Sequence, residues 1–475
     1  MSHDFLTIML PQLGLLFFIV LQLVLSLFLS PRYYRMARWL SVVGISFSIV
    51  LLSLVQTEPQ YFGLNNAVMS DSYTLLFHFM ILVCGFFVVL LTKNLMSTIK
   101  QNAFSFQAIF LTAILGAINV VSANDFLTLF ISLELLSFPM YFLIASSKDY
   151  FSKEASFKYL ITNAVSTGVF LFGVSYIYGL TSSLNFTEIY EITVSKETNL
   201  LYSFGSIMTV LGLISKLAVF PFANWVIDVY KGSETSILAF ISTIPKLALF
   251  GVLCRLLVFP MSNGFELTFV VIALSLITAF WANYYALREE NIKSVFACSS
   301  AANASYVLLA ASLVSVYNLS TVIFYLICYV LMNIAVFGYL NIAENNNIGY
   351  NINDFQGLFR KNKGLTLAYA IAVIGLAGIP ITSGFVAKIY LFSALVHSGL
   401  IFLPFLLILL ILTGVALYYY LKILTPLFNS DFEASCLKTE FSQKFVIMFL
   451  VAITVLIGVY PEKLIELCRY IAYNI

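Results

Sequence analysis

Long apolar stretches separated by short polar joints recur along the whole chain. A stretch of about 20 apolar residues, coiled as an α-helix, is long enough to cross the hydrocarbon core of a bilayer. The pattern predicts about fourteen such helices, and therefore an all-α polytopic membrane protein. The approximate bounds of these helices are 6–29, 38–56, 73–95, 104–122, 125–146, 155–180, 201–222, 236–258, 265–287, 293–314, 317–341, 365–397, 401–424 and 444–460.

The seventh and twelfth predicted crossings are each expected to be broken by a proline inside the membrane. The seventh includes SKLAVFPFANWVIDVY with Pro221, and the twelfth includes GLAGIPITSGFVAKIYLF with Pro380. Proline breaks the helix ladder, and a bilayer tolerates the freed polar groups only where protein or water satisfies them. Each segment also carries one lysine, Lys216 or Lys388. Broken helices at corresponding positions in two halves of a chain indicate a transport site and hint at an internal duplication.

Composition narrows the class of protein further. Hydrophobic residues make up 61% of the chain and charged residues 10%, whereas soluble domains carry about a quarter charged residues. The longest joints, around 181–200, 342–364 and 425–443, are too short to fold alone, so they offer no site for catalysis on a large soluble substrate. The first apolar stretch lacks a basic n-region and is expected to be a retained helix, not a cleaved signal.

The distribution of lysine and arginine predicts the orientation in the membrane. Joints after odd-numbered helices hold sixteen of the 24 basic residues, and joints on the opposite side hold four. Because basic residues accumulate on the cytoplasmic side, the odd joints are expected in the cytoplasm or matrix, and both termini on the far side. The opposite-side residues are Lys196, Arg255, Lys463 and Arg469, and those inside predicted helices are Lys158, Lys216, Lys246 and Lys388.

Cysteine and histidine usage argues against a metal or haem site. The six cysteines include no CxxC pair, and most lie in or near predicted helices, where cysteine behaves as a small hydrophobic residue. The three histidines, His3, His78 and His397, are scattered along the chain. A disulfide framework, an iron–sulfur site or a bound metal is therefore not expected.

Glu134, in LTLFISLELLSFPMY, is the only acidic residue that the pattern places well inside a predicted helix. A charged side chain at the bilayer centre costs about 2.5–3.5 kcal/mol by insertion scales, so it is normally paired or functional. Lys216 is its expected partner. An ion pair that is alternately made and broken would switch the proton affinity of both groups, and lysine, unlike arginine, can lose its proton. The alternative is a fixed pair that holds helices together, although one carboxylate cannot neutralise four intramembrane lysines.

The other lysines differ in their predicted depth. Lys246 lies about ten residues into its helix, beyond the reach of snorkelling, and is the strongest candidate for a central proton relay. Lys158 lies about one turn inside its helix, where snorkelling to the cytoplasmic face is an equal alternative. Lys388 follows Pro380 by eight residues, either at mid-membrane or close to one end. Lys293 opens the tenth helix and is expected to be an interface anchor, with a supporting relay role as the alternative.

Polar side chains interleave these lysines along the predicted helices. They could carry a hydrogen-bonded water chain, with Tyr325 and Asn333 as supporting relay residues, or they could be ordinary interhelical contacts. The set comprises Ser215, Thr243, Ser299, Ser300, Asn303, Tyr325, Tyr329, Asn333, Thr382 and Ser383.

Several segments together resemble a known family. FPFANWVIDVYKG followed by ISTIPK is similar to the signature of subunit N of the proton-pumping NADH–quinone oxidoreductase (complex I), equivalent to mitochondrial subunit 2. NIKSVFACSSAANASY, FYLICYVLMNIAVFGYL, DFQGLF and GLAGIPITSGFVAKIYLFSA match further family stretches in the same order, so that the resemblance covers residues 125–424. The Asp-Val-Tyr after Trp225 and the Pro-Lys at 245–246 favour subunit N over the antiporter-like subunits L and M.

The resemblance implies a fourteen-helix fold with two inverted five-helix repeats and broken seventh and twelfth helices. It also implies proton translocation driven by quinone reduction elsewhere in the complex. This chain would then bind no cofactor, and NADH, FMN, iron–sulfur clusters and quinone would belong to other subunits. The positions that match the family's charged residues are Glu134, Lys216, Lys246 and Lys388, with Lys158 and Lys293 as further family lysines.

The chain departs from the family pattern at three positions. The family usually has histidine where Ala223 and Asn303 stand, and glycine where Ser305 stands. Water or asparagine must bridge at these positions, or the proton route differs.

The resemblance also predicts organisation and partners. The expected parts are an N-terminal three-helix segment (1–103), a first repeat (104–258), a second repeat (259–424) and a C-terminal helix (425–475). Other membrane-arm subunits and lipid are the expected partners, without nucleic acid, in the bacterial inner (cytoplasmic) membrane or, alternatively, the mitochondrial inner membrane. Two rival functions are a subunit of a multi-subunit sodium–proton antiporter and a tethering subunit without transport, although buried Lys246 and Lys388 argue against a tether.

Overall fold

The computed structural model confirms a polytopic membrane architecture built from helices. It describes residues 7–55, 61–99, 102–147, 149–195, 200–258, 261, 265–429 and 436–473. Among these residues, twelve helices are long and apolar enough to cross a bilayer. The interrupted seventh and twelfth segments account for the remaining two of the fourteen predicted crossings.

The helices follow the predicted order with small shifts at their ends. They are α1 (Leu10–Phe28), α2 (Tyr34–Leu52), α3 (Ser72–Leu91), α4 (Lys93–Thr98), α5 (Ala103–Ser122), α6 (Phe126–Ile144), α7 (Tyr150–Thr181), α8 (Phe186–Ser195), α9 (Leu200–Ser215), α10 (Trp225–Gly232), α11 (Thr235–Ile241), α12 (Ile244–Val258), α13 (Phe265–Arg288), α14 (Ile292–Ser312), α15 (Val316–Asn345), α16 (Leu358–Lys361), α17 (Lys363–Ala377), α18 (Ser383–His397), α19 (Leu403–Leu424), α20 (Phe441–Val459) and α21 (Glu462–Tyr473). Short 3-10 turns occupy Pro31–Tyr33, Ala145–Ser147, Ile352–Phe355, Leu400–Phe402 and Thr425–Phe428.

Polar residues in the joints fix where several helices begin. The Asp71 carboxylate accepts a hydrogen bond of 2.7 Å from the backbone N–H of the third residue after it, at the start of α3. Asp125 and Asp149 cap α6 and α7 in the same way. Each cap satisfies a backbone N–H that has no partner inside the helix, which is why short polar side chains stand at these boundaries.

The structure also contains short elements that the apolar pattern did not predict. Strands β1 (Tyr61–Gly63) and β2 (Val68–Ser70) pair antiparallel in the joint before α3. Helix α8 lies in the predicted joint 181–200, and the amphipathic helix α21 follows the last predicted crossing. These elements are too short or too polar to produce a membrane-length apolar stretch, which explains why the pattern missed them.

Packing divides the described chain into two compact units. Unit 1 comprises Met1–Leu217, Ile244–Val271 and Tyr473–Ile475, and unit 2 comprises Ala218–Thr243 and Ile272–Ala472. In unit 1, α7 packs along α9, and α5 contacts α1, α3, α6 and α12. In unit 2, α15 contacts α11, α14, α17, α18 and α20. The predicted division into two repeats, with boundaries near 103, 258 and 424, stays a prediction.

Candidate functional site

The seventh predicted helix is interrupted, as the sequence predicted. Helix α9 ends at Ser215, and the next helix, α10, begins at Trp225. Between them Ala218 has a φ of 62°, a left-handed conformation that is uncommon for a residue with a Cβ atom. Lys216 is the first residue after α9. The lysine therefore stands at the carboxyl end of a helix, where the helix dipole favours a positive charge.

The structure brings Glu134 and Lys216 together, which confirms the predicted contact. Lys216 Nζ lies 3.8 Å from Glu134 Oε1, and the two side chains are 6% and 22% exposed. Thr167 Oγ1 donates a hydrogen bond of 2.9 Å to the same carboxylate oxygen. Within the described part of the chain, Lys216 Nζ has no hydrogen-bond partner. The ammonium group is in ionic contact with Glu134 without being hydrogen bonded to it.

Glu134 also lines an apolar groove of unit 1, between α5 and α6. The groove has a volume of about 350 Å³, and its lining includes Ile109, Ile131 and Phe138, with Thr112 as a second polar residue. In such low-dielectric surroundings two opposite charges attract each other more strongly than in water. The strength of the Glu134–Lys216 pair therefore depends on how much water reaches the groove.

Lys246 is 7% exposed and stands next to Pro245, just after an interruption of the predicted helix 236–258. Residues 236–258 were expected to form one helix, whereas the structure divides them into α11 and α12. The physical reason is Pro245, which has no N–H to donate to the carbonyl one turn earlier. At the break the Thr243 N–H donates to the Phe240 carbonyl at 3.1 Å, and Thr243 Oγ1 donates a hydrogen bond of 2.6 Å to the Ala239 carbonyl. Lys246 is thus in the first turn of α12.

Lys388 occupies the break in the twelfth predicted helix, between α17 and α18. Its Nζ donates hydrogen bonds to the carbonyls of Leu376 at 3.0 Å and Ala377 at 2.7 Å, and its side chain is 6% exposed. The last carbonyls of a helix have no intrahelical donor, and the residue that would serve Leu376 is Pro380, which lacks an N–H. The sequence left two locations open for Lys388. In the structure Lys388 is buried at the break, where it caps the carboxyl end of α17.

The backbone around this break is held in unusual conformations. Gly378 has a φ of 81° and Ile381 a φ of 78°, and a β-branched residue at positive φ is a genuine outlier. A Cβ atom at position 378 would lie 2.6 Å from Lys388 Cδ. The absence of a side chain at Gly378 therefore leaves the space that Lys388 fills.

Lys158 lies at the surface of unit 1. Its side chain is 42% exposed, and its Nζ lies 2.8 Å from Glu154 Oε1, one turn earlier on α7. An exposed pair at this spacing contributes only about 0.3–0.5 kcal/mol. Both alternatives for Lys158, snorkelling to the cytoplasmic face and a relay role, stay predictions.

Lys293 is not the interface anchor that was expected. Its side chain is 3% exposed, and its Nζ lies 3.1 Å from Glu344 Oε1 and donates to the Ser233 carbonyl at 2.9 Å. The Thr235 N–H and the Tyr350 hydroxyl also donate to the Glu344 carboxylate. The pair therefore joins the start of α14, the end of α15 and the joint between α10 and α11, all within unit 2.

Glu344 was missed because the apolar pattern ended its helix at residue 341. Helix α15 continues to Asn345, so that Glu344 lies in its last turn and not in the joint where the apolar pattern placed it. A signal was available, since no glycine or proline stands between 341 and Gly349 to end the helix earlier.

The supporting polar residues divide into two kinds. Tyr325 OH donates to Asn303 Oδ1 at 2.7 Å, and Asn303 Nδ2 lies within hydrogen-bond distance of Tyr420 OH, at 3.3 Å. Asn333 instead donates to the backbone carbonyl of Tyr329 on its own helix, at 2.9 Å. Tyr325 and Asn303 thus belong to a side-chain network, in which asparagine stands where histidine was expected from the family pattern. The described residues contain no group of three or more histidine, cysteine, aspartate or glutamate side chains that could hold a metal ion.

Comparison with known proteins identifies the family. The family model described as "NADH:quinone oxidoreductase/Mrp antiporter, TM" matches residues 123–413. The chain belongs to this family. The relatives in the NADH:quinone oxidoreductase/Mrp antiporter family include the NADH-quinone oxidoreductase subunit N of Anoxybacillus flavithermus, which is 32% identical over 96% of this chain and 94% of its own length. The subunit N of Bacillus anthracis is 30% identical over 96% of this chain and 93% of its own length.

Two solved structures of membrane complexes contain chains with the same fold. A chain of respiratory complex I from Thermus thermophilus with bound aureothin superposes with a TM-score of 0.82 at 25% identity, over 96% of this chain and 98% of that chain. A chain of the Mrp complex from Dietzia sp. gives a TM-score of 0.83 at 18% identity, over 100% and 98%. The chain is therefore similar along nearly its whole length to subunits of multi-subunit membrane complexes.

Proposed function

We propose that this chain is a proton-translocating membrane-arm subunit of an NADH–quinone oxidoreductase in the bacterial inner membrane. The observation that carries the proposal is the ion pair between buried Lys216 and half-buried Glu134, which lies beside an interrupted helix and is in contact without a hydrogen bond. The curated relatives named NADH-quinone oxidoreductase subunit N support the same assignment.

The proposed mechanism uses the pair as a switch. While Lys216 is close to Glu134, the carboxylate stabilises the charged ammonium group. When the pair opens, Thr167 continues to donate to Glu134, whereas Lys216 loses its counterion in a low-dielectric site and releases its proton. Lys246 and Lys388 provide two further buried amines that can accept and release protons. Glu134, Lys216, Lys246 and Lys388 are the proposed relay residues.

In this proposal the chain performs no redox chemistry. NADH, FMN, iron–sulfur clusters and quinone are held by other subunits, and quinone reduction supplies the free energy that opens and closes the pair. Other membrane-arm subunits are the proposed partners, since the solved structures that resemble this chain are parts of multi-subunit membrane complexes.

A sodium–proton antiporter subunit is the second candidate, because the Mrp complex chain shares the fold. The two functions differ in the ion that is exchanged. NADH-driven proton uptake that does not depend on sodium supports the oxidoreductase subunit, whereas proton movement that requires a sodium gradient supports the antiporter.

The experiment follows proton uptake and NADH oxidation together in inverted membrane vesicles that contain the assembled complex. The variants are Glu134→Gln, Lys216→Ala and the exchange Glu134→Lys with Lys216→Glu, with Lys463→Ala as the control at an exposed position. Both single variants are expected to lose most proton uptake and to slow the coupled oxidation, while the exchange recovers part of both and the control matches the unmodified complex. Normal proton uptake in both single variants would overturn the proposal.

A further inference from the structure

A buried ion pair in unit 1 connects α12, which carries Lys246, to α3. Arg255 NH2 lies 2.7 Å from Asp71 Oδ2, and the two side chains are 1% and 2% exposed. Arg255 was expected at a joint on the far side of the membrane, whereas the structure buries it in the last turn of α12. The family match begins at residue 123, so α3 precedes the part of the chain that the family model describes.

The pair is held by several further contacts. Arg255 NH1 donates to the Val121 carbonyl of α5 at 3.1 Å, and Arg255 NH2 donates to Thr74 Oγ1 at 3.2 Å. The guanidinium carbon lies 5.3 Å from the centre of the Tyr73 ring. Asp71 Oδ1 accepts hydrogen bonds from the backbone N–H and the hydroxyl of Thr74. The end of α12 is thus bound to both α3 and α5.

A second contact fixes α12 one turn earlier. Tyr73 OH donates to the Gly251 carbonyl at 2.9 Å. A Cβ atom at position 251 would lie 3.1 Å from side-chain atoms of both Phe77 and Val121, so α12 is pressed closely against α3 and α5 at this level. Two contacts at different heights restrain both the rotation and the axial position of a helix.

The geometry of an α-helix relates these contacts to Lys246. Nine residues separate Lys246 from Arg255, which corresponds to about 13.5 Å along the axis and a rotation of about 180°. Lys246 therefore projects from the side of α12 opposite to Arg255. A slip of one residue in the contact with α3 would rotate Lys246 by about 100°, away from the direction in which it now projects.

Stability alone does not account for such a pair. Replacing a buried ion pair by apolar side chains of similar volume is often neutral or stabilising, because the charges no longer have to be desolvated. A hydrogen-bonded ion pair also restricts α3 and α12 to one relative alignment. We propose that Asp71, Tyr73 and Arg255 are positioning residues that fix the direction and depth of Lys246, an inference that rests on the relay function proposed above.

The test uses the assembled complex in inverted vesicles and the double variant Asp71→Asn with Arg255→Met. Asparagine preserves the cap of α3, and the double change leaves no lone buried charge, so the complex is expected to assemble at near-normal levels. Proton uptake per assembled complex is expected to fall by about tenfold or more, since a misplacement of about 1 Å can cost 100-fold in rate. The pH profile of the coupled rate is expected to shift, and Arg255→Lys, which keeps the charge, is expected to recover part of the loss.

Two parallel variants make the outcome specific. Ser41→Ala removes a buried hydrogen-bonded network with Gln22 and Gln107 that joins α1, α2 and α5, and it is expected to leave proton uptake per assembled complex unchanged. Lys246→Ala tests the relay itself, and its normal proton uptake would refute the proposed function. If Lys246→Ala fails to pump while the double variant pumps normally with an unshifted pH profile, only the positioning role is refuted. Failure of the double variant to assemble would also refute the positioning role, because the Asp71–Arg255 pair would then be a structural requirement.

Discussion

Replacement of Gly173 by alanine is expected to separate α7 from α9 and to disturb the Glu134–Lys216 contact. A Cβ atom at position 173 would lie 2.3 Å from the Thr209 nitrogen and 2.7 Å from the Gly205 carbonyl oxygen, both on α9. Since ordinary contact begins near 3.4 Å, the two backbones must separate by about 1 Å to accept the methyl group.

The energetic effect can be bounded by comparison with a second glycine of α7. Overpacking costs about 1–3 kcal/mol, and the higher helix propensity of alanine returns about 1 kcal/mol. A Cβ atom at Gly168, on the same helix, would meet nothing within 4 Å. Gly168→Ala is therefore expected to gain stability from the higher helix propensity of alanine without a cost from overpacking. The two variants are therefore expected to differ in the free energy of unfolding by about 1–3 kcal/mol, with Gly173→Ala the less stable.

The displacement also reaches the candidate site. Thr167, on α7, holds Glu134 by a hydrogen bond, while Lys216 directly follows α9. Proton uptake per assembled complex, measured in inverted vesicles, is therefore expected to fall in Gly173→Ala and to stay normal in Gly168→Ala. Heating curves of the detergent-solubilised complex provide the stability order. Equal heat stability and equal proton uptake in the two variants would refute this reasoning.

Two further predictions concern the buried lysines of unit 2. Lys293→Met leaves the Glu344 carboxylate without its ion-pair partner, a change that costs about 3–5 kcal/mol. The yield of assembled complex is therefore expected to fall, and to recover when Glu344→Gln is added. No recovery in the double variant would contradict the ion-pair explanation. Lys388→Met leaves the Leu376 and Ala377 carbonyls without a donor, at about 1–3 kcal/mol each, and should assemble poorly. Lys388→Arg should assemble normally but lose proton uptake, because arginine retains its proton; normal uptake in this variant would exclude Lys388 from the relay.

The sequence was sufficient to predict the membrane fold and one ion pair. Apolar stretches of membrane length predicted the fourteen crossings, because the bilayer imposes that length on every crossing helix. Pro221 and Pro380 predicted the two breaks for an equally local reason, the missing N–H. The Glu134–Lys216 contact was predictable since a charge inside a membrane helix needs a partner and few candidates exist.

The sequence was not sufficient to predict the ion pairs near the helix ends. Arg255 and Asp71 are 184 residues apart in the chain, and both stand where an apolar stretch begins or ends, so the apolar pattern gave no reason to pair them. Lys293 and Glu344 were separated in the same way, because the predicted end of α15 fell before Glu344. Long-range pairing depends on which helices pack together, and no local pattern encodes that. The division between α11 and α12 is a different case, because its cause, Pro245, is a local feature that can be read from the sequence.

In the proposed mechanism, buried lysines of this chain carry protons across the membrane. The most direct test is the Lys246→Ala variant of the assembled complex in sealed inverted vesicles, with proton uptake and quinone reduction followed together. The relay mechanism predicts normal assembly with a sharp loss of proton uptake and a slower coupled quinone reduction. Wild-type rates of both would contradict it and would leave Lys246 as a structural residue.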